Sequence, residues 1–151
     1  MKLGLSLGLL LILIGCYQGN PYYDNGKYPE VETVTVALTH AILNNDPQLR
    51  LQFNENGSNV IHSLKNQPGL IGYKTRGRLT GNEVWTMTVW ISEDALDDFV
   101  ADGVHQAAIE NGLAAVKFGE FARTVMPRSE APLSWKKAKK LLKESPRKIY
   151  N

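Results

Sequence analysis

The stretch 70-LIGYKTRGRLTGNEVWTMTVWI-91 decides the fold. It follows Pro68-Gly69, runs extended from Leu70 to Leu79, turns at Gly81-Asn82 and returns from Glu83 to Ile91. A glycine-asparagine pair between two runs rich in β-branched and aromatic residues is a tight-turn signal, so the two runs read as an antiparallel hairpin. Side chains alternate along a strand, which puts Trp85, Met87 and Val89 on one face and Val84, Thr86, Thr88 and Trp90 on the other. Neither set is strongly polar, so both faces need cover. Upstream, residues 31–39 (VETVTVALT) alternate in the same way and read as a strand. Asp46-Pro47 supplies a helix N-cap with proline in the first turn, and Leu49, Phe53, Val60, Ile61 and Leu64 recur at helical spacing. Gly57-Ser58 is expected to loosen that helix. Downstream, Ser92 caps a second helix with Glu93 and Asp94 in its first turn, Lys117 to Met126 reads as a fourth strand closed by Pro127, and a last helix runs from near Ser134 to before Pro146. The order is β-α-β-β-α-β plus a C-terminal helix. That is the ferredoxin-like α+β plan, an antiparallel sheet with helices on one face. A second copy of the chain, packed on Trp85, Met87 and Val89, is the simplest cover for the helix-free face, which predicts a homodimer.

A chain of 151 residues suits one domain. Lys2 followed by the apolar run Leu3 to Ile14 has the layout of a secretory signal, and the run is too short to span a bilayer as a helix. It ends in Leu13-Ile14-Gly15-Cys16, which resembles the bacterial lipobox, where a small residue precedes a cysteine that becomes lipidated. Cys16 is the chain's single cysteine, which excludes an intrachain disulfide. Residues 1–15 are therefore expected to be a lipoprotein signal peptide and 16–30 the lipidated cysteine and a tether. Residues 31–127 then form the domain, and 128–151 a basic C-terminal helix and tail. Loss of Lys2 leaves 16 basic and 15 acidic side chains, so the mature chain is close to neutral and nucleic acid is not an expected partner. Attachment to the membrane then falls to the lipid. By the same resemblance, in a Gram-negative cell Tyr17 in place of a retention aspartate points to the periplasmic face of the outer membrane.

Pro68-Gly69-Leu70-Ile71-Gly72-Tyr73, Thr86-Met87-Thr88-Val89-Trp90, Ser92, Ala95-Leu96, Phe99 and His105 together resemble the antibiotic biosynthesis monooxygenase superfamily. The resemblance covers roughly residues 31–127. It implies the dimeric α/β-barrel fold and a choice of functions that includes cofactor-independent oxygenases and haem-degrading enzymes. Trp90 matches the tryptophan of the haem-degrading branch, but Ile109 stands at its histidine position and Thr39-His40 at its asparagine position. Haem breakdown is not expected, and neither is any cofactor.

The resemblance and the residues leave an enzyme, a ligand-binding module and a structural dimer open. For an oxygenase acting on a small apolar molecule, His105 is the candidate catalytic proton acceptor. Trp90 would wall the ligand site, and Thr86 and Thr88 would offer small hydroxyls beside it. On one continuous helix His105 would point to solvent, opposite Leu96; a break at Asp102-Gly103 would turn it inward. Trp90 also reads as plain core. His40 and His62 lack partners at ligand spacing, and no metal site is expected. Lys74, Arg76 and Arg78 alternate on one strand face and read as a solvated surface. The C-terminal helix carries Lys136, Lys137, Lys139, Lys140 and Lys143 around an apolar stripe of Trp135, Ala138, Leu141 and Leu142. It reads either as docking on the domain through Trp135 and Leu142 or as lying on an anionic membrane.

Overall fold

A computed structural model of the chain describes residues 17–144. The apolar run, Cys16, Arg147 and Lys148 lie outside the described residues. The central elements are β3 (Thr33–Leu43), α1 (Pro47–Leu64), β4 (Leu70–Arg78), β5 (Glu83–Trp90), α2 (Glu93–Ala101), α3 (Gly103–Gly112) and β6 (Val116–Pro127). Two short strands precede them, β1 (Tyr17–Gly19) and β2 (Tyr23–Asp24), and α4 (Trp135–Glu144) follows. The sheet runs β1-β4-β5-β3-β6, antiparallel throughout, with β2 also pairing with β4. This is the ferredoxin-like α+β arrangement that the hairpin implies.

Local signals explain most boundaries. Asp46 accepts the amides of Gln48 and Leu49 and starts α1 with Pro47 in its first turn. Gly81 turns the hairpin at a φ of +71°, a left-handed conformation that a side chain would strain. Ser92 accepts the Ala95 amide, and Glu93 and Asp94 lie at the positive end of the α2 dipole. Gly57-Ser58 leaves α1 unbroken, because both residues retain their place in the backbone ladder.

Two cores sit on opposite sides of the sheet. On one, Leu64 of α1 and Leu96 and Phe99 of α2 bury Leu70, Tyr73 and Trp90. On the other, Val34, Val36, Leu38, Trp85, Met87 and Val89 are covered by Leu133, Ala138 and Leu142. This corrects the expectation that the Trp85-Met87-Val89 row awaits a second copy. The chain's own α4 lays its apolar stripe across that face, while its lysines stay exposed. Helices therefore cover both faces of the sheet.

The supposed tether is also partly built into the sheet. Tyr17 pairs with Arg78 and Gly19 with Arg76, and Tyr23 pairs with Tyr73. Gly72 permits the approach, since a Cβ there would fall 2.3 Å from both the Tyr22 hydroxyl and the Tyr23 carbonyl. Burial against the domain, with help from the nearby charge of Asp24, pushes the Tyr22 phenol up to about 12.

Candidate functional site

Asp102 decides where His105 points. It closes α2 and caps α3 in an extended conformation (φ −60°, ψ 135°), its carboxylate accepting the Val104 amide and the Gln67 side-chain amide. The helix therefore breaks at Asp102-Gly103, and the second phase applies. The imidazole is half-buried with its centroid 4.7 Å from that of Phe99, and Nδ1 lies 3.3 Å from the Val100 carbonyl oxygen. Burial holds the His105 pKa below its ordinary 6.5, against smaller opposing effects of the Val100 hydrogen bond and the Asp102 charge. The ring is a neutral base near pH 7.

Phe99 in turn stacks on Trp90, with centroids 5.0 Å apart. Trp90 is fully buried, and its indole N–H donates to Thr88 Oγ1 at 2.8 Å. Trp90 and Thr88 thus satisfy each other, and Phe99 stands between Trp90 and His105. Thr86 pairs in register with Thr39 of β3 and Thr75 of β4, so a row of small hydroxyl side chains crosses the face covered by α1 and α2.

The sequence reading missed Asn56. It lies on α1 at i+3 from Phe53 and i−4 from Val60; Val60 packs on the core of this face and Phe53 lies beside Gly112 of α3. Its Nδ2 is buried and has no hydrogen-bond partner. A buried amide donor left unmet costs about 1–3 kcal/mol. A polar residue interrupting an apolar stripe was the available signal.

An open cleft of about 530 Å³ lies where the start of β4 meets α2, bordered by Gln67, Gly69, Ser92, Asp98, Phe99 and Asp102. Phe99 is shared between this cleft and the His105 contact, whereas Trp90, Thr86 and Thr88 do not border it.

The other face holds a second polar cluster. Glu83 accepts from Tyr17 Oη (2.9 Å) and Trp85 Nε1 (3.0 Å), pairs with Arg78 Nε (2.8 Å), and lies 3.0 Å from His40 Nε2. Glu120 reaches His40 Nδ1 at 3.6 Å. Burial pushes the Glu83 carboxyl up, but the Trp85 and Tyr17 hydrogen bonds and the His40 and Arg78 charges outweigh it and hold it below the carboxylate norm. His40 thus has two acidic neighbours, which its place in the sequence did not suggest. Arg76, expected in solvent, lies among the rings of Tyr17, Trp85 and Trp135 at 4.5–4.9 Å. Lys74 donates to the Leu133 carbonyl at 2.5 Å.

Residues 48–111 match the family model described as antibiotic biosynthesis monooxygenase. Solved structures share the fold at low sequence identity. A Pseudomonas aeruginosa protein aligns at a TM-score of 0.55 and 9% identity, over 64% of this chain and 96% of its own. A Mycobacterium tuberculosis protein aligns at 0.53 and 17%, over 67% and 96%. A structure described as an antibiotic biosynthesis monooxygenase aligns at 0.52 and 11%, over 61% and 95%. The chain spans only 44% of a longer Lactobacillus acidophilus structure. No curated protein matches. Residues 48–111, from α1 to α3, are thus similar in sequence to the antibiotic biosynthesis monooxygenase family, and the sheet around them shares the fold of these solved structures.

Proposed function

We propose that this is a lipid-anchored, monooxygenase-like protein of the cell envelope whose domain takes up a small, largely apolar molecule between α1 and the sheet. The observation that carries the reading is the Asn56 amide, buried and unmet on α1, the helix that covers the sheet face where Thr39, Thr75 and Thr86 lie side by side. A single donor among apolar and small hydroxyl side chains orients a ligand by one or two polar atoms and excludes strongly charged ones. The anchoring part rests on Leu13-Ile14-Gly15-Cys16, with the periplasmic face of the outer membrane as the location. Mass spectrometry of the mature N-terminus tests it: an acylated Cys16 is expected, and an unmodified chain retaining Met1 would refute it. A homodimer belongs to this reading only through a surface that leaves α4 in place.

Titration with 1-naphthol, followed by tryptophan fluorescence, tests the site. Wild type should bind. Asn56→Leu should remove binding while raising stability by about 1 kcal/mol or more, since an unmet donor is replaced by apolar volume. Unchanged binding together with lost stability would show that Asn56 serves the fold and not a ligand.

A catalytic reading is favoured by one observation, the desolvated His105 imidazole. Cofactor-free oxygenation starts by removing a proton from the substrate, so that the resulting anion can pass an electron to O₂; a neutral, half-buried imidazole suits that first step. Oxygen uptake with the bound phenol should then disappear in His105→Ala while binding persists. Binding without oxygen uptake in wild type would leave a carrier or sensor on the same fold.

A further inference from the structure

The chain is close to neutral overall, yet its charge is sharply segregated. Residues 93–112, spanning α2 and α3, contain Glu93, Asp94, Asp97, Asp98, Asp102 and Glu110 and no lysine or arginine. Across the sheet, α4 carries Lys136, Lys137, Lys139, Lys140 and Lys143 against Glu144. Its buried residues, Ala138 and Leu142, face the sheet, which turns these lysines outward, and all five are exposed.

The N-terminus enters on the same side. Tyr17, the residue after Cys16, is fixed to the β4 edge opposite Arg78. The guanidinium of Arg76 lies 4.5 Å from its ring centroid and Lys139 Nζ lies 5.6 Å from it. Glu83 pairs directly with Arg78, while two N–H groups of Arg76 are buried without an acceptor. The first described residue of the chain therefore sits in a cationic cluster continuous with the lysines of α4.

We propose that the lysine face of α4, with Arg78 beside the N-terminal entry, docks on an anionic phospholipid surface and holds the acidic α2–α3 side away from it. The proposal goes beyond the anchoring reading and rests on it only for where the chain meets the membrane. Each lysine brought to such a surface is worth about five-fold in affinity, and the attraction fades within a Debye length and with salt. A lipid anchor at Cys16 would concentrate the cationic face at the surface without any further contact. The acidic side would be repelled by the same surface, so attraction and repulsion select one orientation.

The test uses the mature chain isolated with its native N-terminus, mixed with vesicles of phosphatidylcholine alone or with added phosphatidylglycerol. Flotation reports attachment. Modification of individual lysines by a membrane-impermeant acylating reagent, read by peptide mass spectrometry, reports orientation. The expected result is flotation with both vesicles and several-fold protection of Lys136, Lys140 and Lys143 on anionic vesicles only, lost at high salt. K136E/K140E/K143E, which leaves Trp135, Ala138 and Leu142 in place, should float without preferring either orientation. Flotation with both vesicles and equal lysine reactivity on each would overturn the docking face and leave the anchor standing. Salt-sensitive flotation on anionic vesicles alone would support the docking face and refute the anchor. Flotation with neither would overturn both.

Discussion

Each side of the sheet holds a histidine, and the fold treats the two in opposite ways. On the α1–α3 side, His105 lies against Phe99, and burial outweighs the one carboxylate near enough to matter, Asp102. On the α4 side, His40 stacks on Trp85 with centroids 3.9 Å apart and is bracketed by Glu83 and Glu120. The first imidazole is half-buried with its pKa held down, whereas the second lies between two carboxylates. The same contrast extends to their neighbours. Asn56 on the first side has an unmet amide; on the second, Glu83 accepts from several donors at once, although two buried nitrogens of Arg76 lack an acceptor. The neutral imidazole and unmet amide on the first side are the groups that a small ligand of low charge could use. The side rich in mutual pairing marks where the chain ties itself together.

The largest break in this contrast should come from the α4 core. Leu142 is almost wholly buried, so Leu142→Ala should cost about 2–5 kcal/mol in urea unfolding. If α4 were an ornament on an already closed sheet, the loss would stay within about 0.5 kcal/mol. Glu83→Gln comes next. It keeps the shape but removes the charge shared by Arg78, His40, Tyr17 and Trp85, and should cost about 1–3 kcal/mol by the same measurement. Equal stability of the variant would mean that the cluster is not held by its carboxylate.

How much of this contrast was legible in the sequence depended on distance along the chain. Asp46-Pro47, Gly81-Asn82 and Ser92-Glu93-Asp94 each complete their interactions within a few residues, so their roles could be read directly. The possible break at Asp102-Gly103 was visible for the same reason, and with it the inward phase of His105. The His40 cluster was not visible, because Glu83 and Glu120 reach it only through the antiparallel registers of β5 and β6 on β3. The destination of α4 was equally hidden. An amphipathic helix declares that it will be covered but not by which surface, and the apolar Trp85-Met87-Val89 row makes the matching declaration without naming its cover. The two belonged together, and reading them apart produced a dimer face that the chain closes itself. Asn56 could have been noticed as a polar interruption of a stripe, although nothing local says that its amide stays unmet.

A smaller effect sharpens the histidine comparison through pH. The folded-state pKa of His105 is depressed, so protonation favours unfolding. Its contribution to stability is present above the unfolded value of 6.5 and is lost as pH falls toward the folded value. Glu83 is depressed too, and its contribution is lost only below its ordinary 4.5. Stability should therefore decline in two separate acid steps, and His105→Gln should remove the upper one alone. An upper step that survives that substitution would assign it to another group.

One chain closes both sides of its own sheet. The rings of Trp85 in β5 and Trp135 at the start of α4 meet edge to face with centroids 6.3 Å apart. An isotope-filtered NOE experiment on mixed labelled and unlabelled chains asks whether that contact lies within one molecule. The account predicts Trp85–Trp135 NOEs inside a single labelled chain and none between chains. Cross-peaks appearing only between differently labelled chains would show α4 covering a partner's sheet, and would contradict it.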